Sequence, residues 1–184
     1  MKKLILIIVI VVLGGLGFYL IPSHKENKTL VAYFSATGTT ERVAKDLAGA
    51  IGADLFTIQP VNEYTAEDLN WKNDKSRSSV EMADKSTRPE IATKIENIAQ
   101  YDIVYIGFPI WWGREPSIVD SFIESYDFAG KTIIPFATSG STPTTDEAVA
   151  DIRLLAPNAN VLNGKRFPAD VSVEELKNWA NESK

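Results

Sequence analysis

Tyr33-Phe34-Ser35-Ala36-Thr37-Gly38-Thr39-Thr40-Glu41-Arg42-Val43-Ala44 is the stretch that decides how this chain is read. An apolar strand, Thr29 to Phe34, runs into a hydroxyl-rich turn, and a helix starts directly behind it. Gly38 lets the backbone bend so that its amides converge on an anion. The helix N-terminus adds unpaired N–H groups and the positive end of a dipole. The arrangement suits a phosphate. Its plain alternative is a Ser/Thr-rich N-cap that binds nothing. The turn lacks the terminal Lys of a triphosphate loop and the spaced glycines of a dinucleotide site. Hydroxyls and amides without a cation favour one permanently held phosphate monoester.

Two further segments weigh against the bare cap. After an apolar run at 102–108 comes Pro109-Ile110-Trp111-Trp112-Gly113-Arg114-Glu115-Pro116, and after a run at 131–137 comes Thr138-Ser139-Gly140-Ser141. In an open parallel α/β sheet, ligands sit beyond the carboxyl ends of the strands, at the topological switch point. Three special loops at three strand ends therefore meet around one ligand. The Trp pair offers flat faces for a planar ring. A phosphate plus a planar ring reads as a mononucleotide, and flavin mononucleotide (FMN) fits best.

With its Ser-x-Thr-Gly-x-Thr phosphate loop and Pro-Ile-Trp-Trp-Gly ring loop, the chain resembles the flavodoxin-like proteins over about residues 29–184. The resemblance implies that Ser35, Thr37, Gly38, Thr39 and Thr40, with Ala36 in the same loop, bind the FMN phosphate. It further implies that Pro109, Ile110, Trp111, Trp112 and Gly113 flank the isoalloxazine, and that Thr138, Ser139, Gly140 and Ser141 close over it. Which of Trp111 and Trp112 faces the ring stays open.

Strand and helix patterns alternate along the chain, as in βαβ units with a parallel sheet. Strands are expected at 29–34, 54–58, 102–108, 131–137 and 159–162. Helices are expected at 40–51, 88–99, 116–125, 144–155 and 172–182. Five strands and five helices match a doubly wound α/β fold of order 2-1-3-4-5. Pro135 resists its strand, because proline removes a ladder donor. It calls for a bulge or for one-sided hydrogen bonding. The long stretch 61–87 reads as a solvated excursion with a short helix, or as a lid or partner surface. Arg114 and Glu115 are the only charges beside the ring loop, read as a surface pair or a helix N-terminal charge. A Glu115 approaching the ring would disfavour the anionic reduced flavin and lower its potential.

Residues 1–3 (Met1-Lys2-Lys3) precede eighteen uncharged residues, 4–21. At ~1.5 Å per residue these span about 27 Å, close to the thickness of a bilayer core. A transmembrane anchor is expected, with a cleaved signal peptide as its rival. The cations before the span favour a cytoplasmic N-terminus and a single-pass membrane protein whose domain lies outside. Residues 22–28 form a linker, and its His24 reads as a solvated residue. The absence of Cys rules out disulfides, thiol chemistry and cysteine-ligated clusters. Without Lys2 and Lys3, 17 basic residues face 24 acidic ones, so the part of the chain beyond the span carries formal −7. That balance disfavours nucleic acid and suits a cationic redox partner; no metal site is expected.

No His, Cys or acid–base pair stands in the three loops, so the cofactor would carry the chemistry. The reading favoured is a low-potential electron carrier between a reductase and an acceptor. The alternative is an FMN-dependent NAD(P)H:quinone-type oxidoreductase acting on a small-molecule acceptor. A receiver domain of the same fold is excluded, because no acidic pair ends the first strand.

Overall fold

The computed structural model describes residues 28–183. The expected anchor, n-region and nearly all of the linker lie outside the described residues. Among those described, no helix is long and apolar enough to cross a membrane.

Three strands form the centre of the sheet: β1 (Thr29–Tyr33), β3 (Ile103–Pro109) and β4 (Thr132–Thr138). They are near-continuous apolar runs, as a parallel sheet covered on both faces requires. The alternation of side chains assigns each face. Val31, Tyr33, Tyr105, Ile134 and Phe136 pack under α1 (Thr39–Ile51) and α5 (Val173–Glu182). Leu30, Ala32, Phe34, Val104, Ile106 and Phe108 pack under α3 (Ser117–Glu124) and α4 (Asp146–Leu155). With the edge strand β2 (Asp54–Thr57) on one side and β5 (Asn160–Val161) on the other, the parallel order is β2-β1-β3-β4-β5. All pairings are parallel, in the doubly wound arrangement expected.

The outer strand departs from expectation. It is split into β5 (Asn160–Val161) and β6 (Lys165–Phe167), both paired with β4. The split explains Pro135. The Thr132 amide donates toward β3, to the Asp102 carbonyl, while the Ile133 carbonyl accepts from Leu162 on the other side. By alternation the nitrogen of Pro135 faces the outer strand, where Leu162-Asn163-Gly164 interrupts the ladder. The missing donor therefore meets a gap, and β4 is hydrogen-bonded on one side there.

The helix expected at 88–99 does not form. That segment is extended, with an antiparallel bridge between Pro60 and Ile91 and a single 3-10 turn at Ile98–Gln100. Its backbone finds partners elsewhere: Glu90 accepts from Val61, Ala92 donates to Gln59, and the Ile95 amide donates to the Tyr126 hydroxyl. These contacts replace the intrahelical ladder, while Ile95 still reaches the core. The short helix of the excursion is α2 (Arg77–Ala83), capped by Ser76, whose hydroxyl accepts from the Ser79 amide. It is docked rather than solvated. Met82 is buried, and the Ser117 hydroxyl at the start of α3 donates to the Glu81 carbonyl.

Candidate functional site

The carboxyl ends of β1, β3 and β4 are neighbours in the sheet, so the three loops meet at one end of the molecule. The first loop, Ser35–Gly38, turns through Gly38 at φ 86°. Ser35 is not the helix cap; its hydroxyl accepts from the Gly38 amide at 3.1 Å. The cap is Gly38, which offers α1 no side-chain acceptor. The bare-cap alternative therefore fails in its simplest form: the Thr37 and Thr39 hydroxyls are not consumed in capping. The space over Gly38 is open, since a Cβ there would meet no atom within 4 Å. Thr40 is buried, and its hydroxyl pairs with that of Thr138 at 2.8 Å, tying the first loop to the end of β4.

The second loop closes on itself. Trp111 donates to the Arg114 carbonyl at 2.9 Å and Arg114 donates back to the Trp111 carbonyl at 3.0 Å. The two central residues have positive φ, Trp112 at 46° and Gly113 at 91°. This is the geometry of a type I′ turn. Trp112 is the one non-glycine with positive φ among the described residues, an arrangement that costs a bulky side chain ~1–3 kcal/mol. Its ring is half exposed. Trp111 points inward instead, edge-on to Phe34 (5.6 Å between centroids) and to Tyr64 (5.3 Å). Of the Trp pair, Trp112 is the one with a free face.

Tyr64 belongs to the excursion and was not foreseen at the site. It is held there by Arg77, which lies 4.0 Å from its ring centroid, and by a hydrogen bond from its hydroxyl to Glu81. Burial, reinforced by that hydrogen bond, pushes its phenol well above the ordinary tyrosine range. Within 61–87, the only sequence signal for it was its aromatic character.

The third loop is braced from within. The Ser139 hydroxyl accepts from the Thr142 amide at 2.9 Å and from the Ser141 amide at 3.2 Å. The Ser139 carbonyl accepts from Arg166 of β6 at 2.8 Å. Gly140 and Ser141 stand exposed at its tip. Ile110 donates to the Thr138 carbonyl, which joins the second loop to the third. The Pro109 end of β3 lies in register with Thr138.

Arg114 and Glu115 are not a surface pair. Arg114 is 4 % exposed and Glu115 is fully buried, because α3 and α4 pack over them. The guanidinium meets Asp120 of α3, Glu115 at 3.3 Å and Asp151 of α4 at 3.1 Å. Burial pushes the Glu115 carboxyl well above the usual carboxylate range, and the neighbouring Asp120 adds to it. The acid that flanks the turn from outside is Glu147, whose Oε2 lies 3.2 Å from where a Cβ on Gly113 would stand.

A hydroxyl-lined, cation-free loop over an uncapped helix start lies beside an exposed indole at the next strand end. The comparisons with known proteins bear on the family and the fold. The flavodoxin family model matches residues 28–183. The chain belongs to the flavodoxin family. Among solved structures, it is 50 % identical to a protein from Bacteroides uniformis assigned as a flavoprotein. That match covers 84 % of this chain and 98 % of the other, with a TM-score of 0.80. A counterpart from Bacteroides eggerthii is 44 % identical over 85 % of this chain and 97 % of its own, with the same TM-score. A Lactobacillus acidophilus flavoprotein solved with FMN is 21 % identical, covering 84 % of this chain and 99 % of its own, at a TM-score of 0.62. At that identity it supports the fold alone. No curated protein matches this flavodoxin-family chain.

Proposed function

We propose that this protein binds FMN and works as a low-potential electron carrier between a reductase and an acceptor. One observation carries the reading: the cation-free phosphate loop opens α1 without a side-chain cap, directly beside the Trp turn. The donor set fits a phosphate monoester, with the hydroxyls of Thr37 and Thr39 and the first-turn amides of α1 holding it. Trp112 would lie against the planar ring, and Trp111 would support the turn from the core. Bound FMN supplies the redox chemistry.

The chain's own residues shape that chemistry. Trp112 excludes water from one side of the ring, which disfavours a buried anion. Glu147 adds negative charge beside the turn, and the part of the chain beyond residue 3 carries formal −7. Both disfavour further negative charge on the ring and so lower its potential. Glu115 does not contribute in this way, because it is buried behind the turn and held toward its neutral form.

The test is to denature the purified protein, identify the released chromophore, and reduce the native protein anaerobically in steps. FMN release, two resolved one-electron steps and negligible NAD(P)H oxidation support the carrier. Release of FAD, or no uptake of added FMN, sinks the cofactor assignment. Rapid NAD(P)H turnover with a quinone would make the protein an enzyme instead. We further propose that residues 4–21 anchor the protein in the cell membrane with its domain outside.

A further inference from the structure

The cluster behind the Trp turn has an imbalance that the cofactor site alone does not explain. Arg114 and the carboxyls of Glu115 and Asp120 are almost wholly removed from water, with side-chain exposures of 4 %, 0 % and 2 %. Around them stand Asp151 and Glu147 of α4, Glu124 of α3, and Lys85 and Arg88 of the segment after α2. Lys85 is engaged by Asp151 at 2.9 Å and lies 3.7 Å from Glu147. Arg88 is engaged by Glu124 and reaches only to 3.7 Å from Asp120. One buried guanidinium thus answers for two buried carboxyls and shares itself with Asp151. Glu115 Oε2 and Asp120 Oδ1 have no hydrogen-bond donor and Arg114 Nη1 has no acceptor, while the two carboxyls stand close enough to interact. Two ionised carboxylates in that contact would repel across a dry interior. One proton shared between the two carboxyls gives the pair a donor and removes the excess charge.

We propose that Glu115 is a positioning residue for the cofactor: a neutral carboxylic acid donating to Asp120, whose proton locks the Trp111–Arg114 turn onto α3. The lock works through adjacent backbone. Arg114 closes the turn with its amide and carbonyl, and its side chain and that of Glu115 anchor it on Asp120 and Asp151. Loss of the proton leaves two facing carboxylates beneath the turn and drives it off α3, taking Trp112 and Gly113 with it. The direction of the Glu115 shift, upward through burial, agrees. An acid whose folded-state affinity for protons is raised contributes stability at low pH, and that contribution is lost as pH rises through its folded value. Stability should therefore fall with rising pH from the ordinary glutamate range up to the folded-state value and level off above it, whereas FMN affinity should fall once the folded protein itself loses the proton.

This inference rests on the FMN reading for its first readout, and the second is independent of it. FMN affinity of the full-length protein is measured by flavin fluorescence from neutral to alkaline pH, for wild type, Glu115→Gln and Glu115→Ala. Gln keeps a donor to Asp120 and an acceptor for Arg114 but has no proton to lose. Wild type should weaken by up to about tenfold per pH unit once Glu115 ionises. Glu115→Gln should match wild type near neutral pH and lose that part of the slope, while Glu115→Ala binds more weakly throughout. Thermal unfolding of the flavin-free proteins should show Glu115→Gln gaining on wild type as pH rises. The same alkaline slope in Glu115→Gln and wild type, or no gain in its thermal stability, overturns the proposal. If FMN binds at no pH, the cofactor role falls and the thermal series alone decides whether the proton is there.

Discussion

Replacing Gly113 with Val tests whether the Trp turn is a built part of the site. Gly113 sits at φ 91°, in the region that L side chains rarely adopt. A residue forced to stay there costs ~1–3 kcal/mol, and a β-branched side chain falls at the upper end. The turn has little room to pass the strain along, because Trp112 already stands at φ 46° and hydrogen bonds close the turn in both directions. The new Cβ also comes within 3.2 Å of Glu147 Oε2. Glu147 is the free end of a half-exposed side chain and can swing away, so this contact adds little. About 2–3 kcal/mol of lost stability follows, or roughly 5–10 °C in Tm for a domain of this size. Chemical denaturation with and without FMN measures it, and FMN affinity should fall by about tenfold or more as Trp112 is displaced. Gly113→Asn is the control, since Asn tolerates the left-handed region and should lose under ~1 kcal/mol. A Val variant with wild-type stability and wild-type FMN affinity would refute the reasoning, leaving Gly113 an ordinary turn residue.

Replacing Thr37 and Thr39 together by Ala should weaken FMN binding by on the order of 2–5 kcal/mol, at ~1.5–3 kcal/mol per hydrogen bond to a charged group. Calorimetric titration reads the loss, and unchanged affinity removes the phosphate assignment. Gly107→Ala should be among the more damaging single changes, because its Cβ would lie 2.2 Å from Cζ of Phe136 in the core under α1 and α5. Overpacking of that kind costs ~1–3 kcal/mol or more; a thermal melt superimposable on wild type would mean that the ring moves freely. Protease added to cells stripped of their wall should digest the domain while an internal control survives. Protection reverses the proposed orientation, and release of the protein into the medium points to a cleaved signal.

The sequence by itself determined the frame of this protein. The three apolar runs that became β1, β3 and β4 are legible because a strand buried on both faces has no alternative composition. The loops that follow them are legible for the same reason, since parallel strands must deliver all their carboxyl ends to one side. Gly38 marked its turn because a positive φ leaves a local signature. What only the tertiary structure decided is the environment of residues whose own chemistry permits more than one. Ile91, Ile95 and Ile98 have helical spacing, yet their backbone pairs with 59–61 and Tyr126. Pro135 is tolerable because the outer strand breaks opposite it. Trp111 and Trp112 are identical side chains, and one is core only because Phe34 and Tyr64 meet it. Arg114 and Glu115 look like surface charges until α3 and α4 close over them. Burial of a charge is a property of what packs above it, and α4, which brings Asp151 to Arg114, lies beyond the reach of any local pattern.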